Sequence, residues 1–370
     1  MITASTSAAA GRLGVAGRDL LPPAAARSRY RVIAVQRDAP AYDDCFYAAL
    51  EGHGVRVIEG SLSGRWLATN VRAGDYVHLQ FPSFCYSGAP TRLGLLFGFT
   101  RFVALLLLVR LRRGKLLWTA HNLMPHDATP FPYLDRLGRK IVIGLSDRVF
   151  VHGPSAARAL AEQFPGVHRK LAVIHHGHWL DYYPRSQSRA DARAKLGLPC
   201  DAHVFLFIGL CKPYKNLHGL IDTFRRRSGA SLLLIAGKFA RDGYRERIAA
   251  LADGEPRIRL YPRRIPDAEL QTFLGACDCV VLPYLQTLTS GAAMLALSFG
   301  RPVVSVRRGS LQDVITDEVG ILFDPSEPDG LERALQAAAD RRFDEARILA
   351  HARRFTWTSA ARAFVDALEH

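Results

Sequence analysis

Lys212 and Lys215 stand just after an apolar strand and Gly209, in the run Phe207-Ile-Gly-Leu-Cys-Lys-Pro-Tyr-Lys-Asn216. Two ammonium groups placed there could converge on phosphates and offset the negative charge that grows on a departing diphosphate, so that no metal ion is required. A second anion site is legible at Thr289-Ser290-Gly291, where a helix cap precedes the strong helix formers Ala292 to Phe299 and Gly300 stops the helix. The N–H groups of Ser290, Gly291 and Ala292 then point out of the helix start, where the dipole favours an anion. Capped helices at strand ends are also common in proteins that bind nothing there. His121 ends another apolar run, Lys115-Leu-Leu-Trp-Thr-Ala-His121, and would point across a cleft. His126 and Asp127 share the next loop, and a histidine beside a carboxylate could take a proton from a hydroxyl. Ordinary loop polarity explains that pair equally well. Asp43 and Asp44, near the end of the first strand, are rival bases.

These residues need strands that end together and helices that cover them. Tyr30–Val35, Arg56–Ile58, Asp75–Gln80, Lys115–His121, Asp147–His152 and Lys170–Ile174 read as strands in the first half. Val204–Gly209, Ser231–Ala236, Ile258–Leu260, Cys279–Leu282, Pro302–Ser305 and Gly320–Phe323 repeat the pattern in the second. Each run is mainly apolar, several ending in polar residues, as in parallel strands buried on both faces, and helical segments lie between them. The expected fold is α/β, with two Rossmann-like parallel-sheet domains facing a central cleft. The polar segment Ser186 to Leu198 reads as the linker region. Domains are expected at residues 29–185 and 186–355, after a disordered leader at 1–28 and before a C-terminal helix at 356–370 that packs back toward the first domain.

A chain of 370 residues with 49% apolar content can fill two cores. Its six cysteines show neither metal-ligand spacing nor the density of a disulfide framework, which suits a reducing compartment and makes the cytosol the default location. The formal charge is +15. Residues 1–185 hold 23 Lys and Arg against 12 Asp and Glu, or +11, and the remainder 26 against 22, or +4. Such a field favours anionic lipid headgroups or phosphorylated substrates. Nucleic acid is the weaker choice, because no zinc-finger, helix-turn-helix or aromatic-basic pattern is present. Leu93 to Leu111 is the most apolar run, but Arg101 interrupts it and Arg110, Arg112, Arg113 and Lys115 close it. A buried crossover helix and a helix pressed against an anionic membrane both fit; a transmembrane span does not.

Several segments together resemble the glycosyltransferases of the GT-B fold: Val77–Pro82, Trp118–Asp127, His176–Tyr183, Phe207–Asn216 and Leu282–Val304. Their order and spacing look most like the GDP-mannose-dependent β-mannosyltransferases of xanthan-type exopolysaccharide assembly. The resemblance implies a nucleotide-sugar donor held by Gly209, Lys212, Lys215, Lys238, Thr289, Ser290, Gly291 and Asp313, the last at a ribose-binding position. It implies that His121 contacts the donor hexose or its phosphate, with Lys215 acting on the leaving group, and that no metal or other cofactor takes part. It also implies a lipid-linked glycan as acceptor and a peripheral place on the inner face of the cell membrane. Lys212 stands where Arg is common, and Asn216 where Gly is common. Retaining relatives carry two glutamates seven residues apart at places that fall near Thr287 and Leu295, so the resemblance favours inversion. Donors such as a UDP-hexose or GDP-fucose, a retaining mechanism, and a nucleotide- or sugar-binding protein without catalysis are the alternatives.

Overall fold

The computed structural model describes residues 28–35, 39–87, 91–124, 131–240 and 243–369. His126, Asp127 and residues 1–27 of the expected leader lie outside the described residues. The first half runs β1 (Tyr30–Ala34), α1 (Pro40–Gly52), β2 (Val55–Glu59), α2 (Gly64–Asn70), β3 (Tyr76–Leu79), α3 (Arg92–Leu111), β4 (Lys115–Thr119), α4 (Pro132–Leu145), β5 (Arg148–Val151), α5 (Pro154–Gln163) and β6 (Leu171–Val173). The second half begins with α6 (Arg189–Leu196), β7 (Val204–Ile208), α7 (Leu217–Arg226), β8 (Leu232–Ala236), α8 (Tyr244–Ala252), β9 (Ile258–Tyr261), α9 (Asp267–Ala276) and β10 (Cys279–Leu282). It continues with α10 (Gly291–Ser298), β11 (Val303–Val306), α11 (Leu311–Val314), β12 (Gly320–Phe323), α12 (Gly330–Asp340), α13 (Glu345–Ala352) and α14 (Trp357–Glu369).

Both sheets are six-stranded and parallel, in the orders β2-β1-β3-β4-β5-β6 and β12-β11-β10-β7-β8-β9. Alternate residues of the first sheet feed two different cores, as the two-residue period of a strand requires. Ile33, Val77, Leu116, Trp118, Val149 and Val151 pack on the side of α2 to α5. Val32, Ala34, Leu117 and Phe150 pack on the other side, against Phe46 and Leu50 of α1 and Phe364 of α14. The last helix therefore closes the first sheet, and the Phe150 and Phe364 rings stack at 4.1 Å.

Each sheet reverses its strand order once, between β1 and β3 and between β7 and β10, and loops leaving the carboxyl ends of neighbouring strands part there to leave a crevice. Ser186 to Leu198 is not free linker. It contains α6, which docks on α9 because the buried Arg193 bonds Ala276, Pro199, Cys200 and Ala202 carbonyls and the Asp278 carboxylate. The chain crosses between the halves at residues 174–187 and returns at 355–357, where His178 N–H donates to Phe355 O and the Trp357 indole donates to His178 O.

Candidate active site

The first half contributes a buried polar chain behind His121. Asp43 lies in the first turn of α1, fully buried, where its Oδ2 accepts from Ala39 N–H at 3.0 Å. Its Oδ1 accepts from Gln80 Nε2 at 2.5 Å, and the same amide donates to Tyr47 Oη at 3.1 Å. With its amide nitrogen held between two acceptors, Gln80 must turn Oε1 toward His121, which donates from Nε2 at 3.0 Å. His121 thereby carries a proton on Nε2, with its ring stacked on Phe81 at 4.8 Å and set edge-on to Tyr42 at 5.1 Å. Tyr47 continues the network to His78 Nδ1, and His78 Nε2 meets Thr119 Oγ1. The geometry corrects the reading of Asp43 as a base open to an acceptor, since both of its oxygens serve the protein interior. Asp44, on the outer side of α1, accepts from the Tyr182 hydroxyl at 3.3 Å and is not brought to His121.

The second half brings the two candidate anion loops together at the β7/β10 crevice. Leu285 N–H donates to Tyr214 O at 2.9 Å, which ties the loop after β10 to the lysine loop. Lys215 Nζ lies 3.6 Å above the centre of the Tyr284 ring, so the ammonium is held at the carboxyl end of β10. Asn216 has φ 58° and ψ 38°, the left-handed region that glycine or asparagine tolerates, and this conformation turns the chain into α7. Lys212 shares the turn through the bond from Lys215 N–H to its carbonyl. Gly209 has φ 133°, and a Cβ at the neighbouring Gly237 would fall 1.7 Å from Gly209 O, so these two loops touch backbone to backbone. Lys238 is exposed; its carbonyl accepts from Cys211 N–H of the lysine loop at 2.9 Å, and it lines a further cavity with Arg245.

Ser290 caps α10, its hydroxyl accepting from Ala293 N–H. A Cβ on Gly291 would stand 3.1 Å from the Trp179 ring and 3.5 Å from His176 Nε2, so the helix start is pressed against the crossing segment. Thr289 and Gly291 then face Tyr42, Phe81, His121, His176 and Arg264 across one cavity of about 340 Å³ between the halves. A second cavity of about 250 Å³ lies between Asn122 to Met124 and Tyr214, Leu285 and Thr287. Asp313 is corrected from ribose ligand to interdomain cap: Ser155 donates to it from N at 2.9 Å and from Oγ at 2.7 Å, at the start of α5. Thr287 donates to Thr289 O, and Leu295 packs against the second core; neither place supplies a carboxylate.

Three histidines meet where the halves join. His152 is buried, both ring nitrogens lack a hydrogen bond, and its ring lies 5.2 Å from His121 and 5.4 Å from His176. Burial, then the neighbouring histidines, hold it well below the usual imidazole range. Burial lowers His176 to about 4 while its Nδ1–H donates to Gly177 O, which leaves Nε2 as an acceptor beside the start of α10. His152 followed a strand end just as His121 did, and that shared position was the signal by which sequence could have found it. Gln80 ended a strand in the same way; Arg264 and Trp179 had no such signal. Among the described residues no group of three His, Cys, Asp or Glu side chains could hold a metal ion.

Two six-stranded parallel sheets with their reversal loops opening on one cleft define the GT-B glycosyltransferase fold. In the second half, residues 202–341 match the family described as glycosyl transferases group 1. A D-inositol 3-phosphate glycosyltransferase of Streptosporangium roseum is 28% identical over 261 residues, which cover 66% of this chain and 60% of that protein. A GDP-mannose:glycolipid 4-beta-D-mannosyltransferase of Xanthomonas campestris is 27% identical over 253 residues, 66% of this chain and 65% of that one. The chain thus spans less than two thirds of the length of both relatives. In three dimensions it is similar to sucrose-phosphate synthase of Thermosynechococcus elongatus, with TM-score 0.68, 19% identity, and 92% and 98% of the two chains covered. Anabaena HepE in complex with UDP gives TM-score 0.67 at 16% identity over 92% and 99%.

Proposed function

We propose that this protein is a metal-independent, inverting hexosyltransferase. It takes a sugar from a nucleoside diphosphate, with mannose from GDP-mannose as the best candidate, and places it on a lipid-linked glycan at the inner face of a bacterial membrane, in exopolysaccharide synthesis. The observation that carries this reading is that the start of α10 faces His121 across one cavity, while Tyr214 of the Lys215 loop, tied to the loop after β10, faces Asn122 to Met124 across the next. A donor diphosphate set against Lys215 and the N–H groups of α10 gains stabilisation as charge builds on the leaving phosphate. The sugar then faces His121 and the first half. The 27% identity to an enzyme whose name specifies GDP-mannose and a glycolipid supports the choice of donor and acceptor. The absence of carboxylates at Thr287 and Leu295 supports inversion, so an α-linked GDP-sugar should give a β-linked product; anomeric proton coupling or glycosidase digestion reads the outcome, and an α-linked product would overturn it.

The decisive experiment is a thermal-shift screen against GDP, UDP, ADP and dTDP, followed by transfer assays with the matching nucleotide-sugars. A nucleotide held at a hundred times its dissociation constant should stabilise the fold by about 2.7 kcal/mol. GDP is expected to give the largest shift. A larger shift with UDP would move the donor to a UDP-hexose, and binding with no transfer or hydrolysis would leave a binding protein.

Membrane attachment belongs to the same reading. α3 is long and apolar enough to cross a bilayer, but Phe102, Leu106 and Val109 are buried in the first core, so the helix lies along the protein. Its other side exposes Leu93, Leu96, Phe97, Leu107 and Leu111, and α4 adds Tyr133 and Leu137. Arg92, Arg101, Arg110, Arg136 and Lys140 are exposed on the same two helices. Asp135, the one carboxylate on them, is buried. An apolar stripe edged with cations fits the interface of an anionic bilayer.

A further inference from the structure

Arg139 carries a guanidinium into the interior of the first half without a partner. Its position on α4 belongs to the stripe that also buries Gly138, Val142 and Ile143, where an aliphatic side chain would satisfy the core. The residue is 4% exposed, and its Cζ stands 5.1 Å over the Trp118 ring. Nε is buried with no hydrogen bond, and among the described residues none bonds the guanidinium at all. The groups that act on its charge are the Tyr86 hydroxyl and Asp135, one turn earlier on α4. Burial lowers it to about 10, so it remains a cation at neutral pH. A buried charge with no ion pair is strongly unfavourable, and arginine is the side chain best shaped to grip a planar or tetrahedral oxyanion.

The guanidinium borders a small cavity with Gln80, Ser83, Trp118, His121 and Asn122. Its volume of about 10 Å³ admits one oxygen-sized group. This cavity shares Phe81 and His121 with the larger cleft cavity. We propose that Arg139 is the floor of an oxyanion subsite, in which one oxygen of a phosphate or carboxylate enters beside His121 and supplies the hydrogen-bond partner that the guanidinium lacks. The subsite lies on the first-half side of His121, away from Lys215 and α10, so the anion belongs to the acceptor; only that last assignment rests on the proposed transferase reading.

The test compares the thermal midpoint of wild type, Arg139→Met and Lys215→Ala during titration with sodium phosphate and with sodium acetate, against sodium chloride of equal ionic strength. Wild type and Lys215→Ala are expected to rise with at least one of the two anions. Arg139→Met is expected to melt no lower than ligand-free wild type and to show no rise. The anion that acts more strongly tells a phosphoryl source from a carboxylate source. An equal rise in Arg139→Met, a rise lost in Lys215→Ala alone, or a lower midpoint for ligand-free Arg139→Met overturns the subsite. Calorimetric titration of GDP into Arg139→Met should match wild type. If GDP binds neither protein, the transferase reading loses its support while the phosphate and acetate result stands on its own.

Discussion

Lys215 and Gly291 approach the same crevice with different means, a side-chain cation and a bare backbone, and their substitutions should fail differently. If the ammonium acts on charge that develops as the diphosphate leaves, Lys215→Ala lowers turnover by roughly 10² to 10³ and donor affinity much less. Gly291→Val should instead remove donor binding while the protein stays folded, because the new side chain starts 3.1 Å from Trp179 and must turn toward the cavity. Initial rates and calorimetric titration of nucleoside diphosphate into both variants check this. Full turnover in Lys215→Ala, or normal nucleotide binding by Gly291→Val, would place the diphosphate on another loop. Asp313 gives a contrasting expectation. As the cap of α5 across the two halves, its change to Ala should cost about 0.5–2 kcal/mol in urea unfolding and leave nucleotide affinity unchanged. Lost affinity with unchanged stability would restore the ribose role.

At the scale of elements, α3 shows why an apolar run is ambiguous. Its residues are apolar on all sides, so composition alone does not tell a buried crossover from a membrane-facing helix; the structure buries one part of it in the first core and leaves another apolar part exposed. Leu93 is 81% exposed and Phe97 71%, while Phe102 and Leu106 are sealed beneath them. Replacing Leu93 and Phe97 by Gln should weaken binding to anionic vesicles by roughly ten- to a hundredfold per side chain, since each burial is worth about 1.5–3 kcal/mol. Replacing Arg101, Arg136 and Lys140 by Gln should flatten the salt dependence, because exposed charges are screened beyond about 10 Å at 0.1 M. Sedimentation with anionic and neutral vesicles reads both. Equal recovery on the two vesicle types would remove the electrostatic part, and unchanged recovery for the Gln variants would return α3 to a plain covering helix. The basic cluster Arg112, Arg113 and Lys115 lies at the far end of α3 from the cleft, with Lys115 folded over the Tyr76 ring, so its removal should matter less.

At the scale of the whole molecule, the burial of His78, His152 and His176 disfavours their charged forms and contributes to the response to acid. Burial lowers His78 to about 3 and His176 to about 4, and His152 well below its ordinary value. An unfolded histidine titrates near 6.5. Between that value and the lowered ones the unfolded chain binds protons that the folded chain refuses, so stability rises with pH and is lost on acidification from about 6.5 downward. Each such histidine contributes a slope of up to about 1.4 kcal/mol per pH unit. Urea midpoints at pH 7 and pH 5 should differ accordingly, and His176→Phe should reduce the slope by about one proton. An unchanged slope would show that His176 keeps its proton affinity in the folded chain.

Twelve strands, their parallel pairing and the two-domain α/β class were legible in the sequence, because strands buried on both faces must be apolar throughout and helices must bridge parallel neighbours. The local geometry of the two candidate anion loops was legible for the same local reason: Ser290 caps whatever helix follows it, and Asn216 can adopt the left-handed turn that glycine adopts elsewhere. Asp43 and Asp313 carried no such local mark. A carboxylate after a strand end reads alike whether it faces an acceptor, a glutamine amide or a serine of the other domain, and only the fold brings Gln80 or Ser155 within reach. His152 joined His121 and His176, and Arg139 came to rest without a partner, through contacts between segments far apart in the chain. Sequence determined which elements form; the tertiary structure decided which of their polar groups meet, because hydrogen-bond partners and counter-charges are set by distance in space.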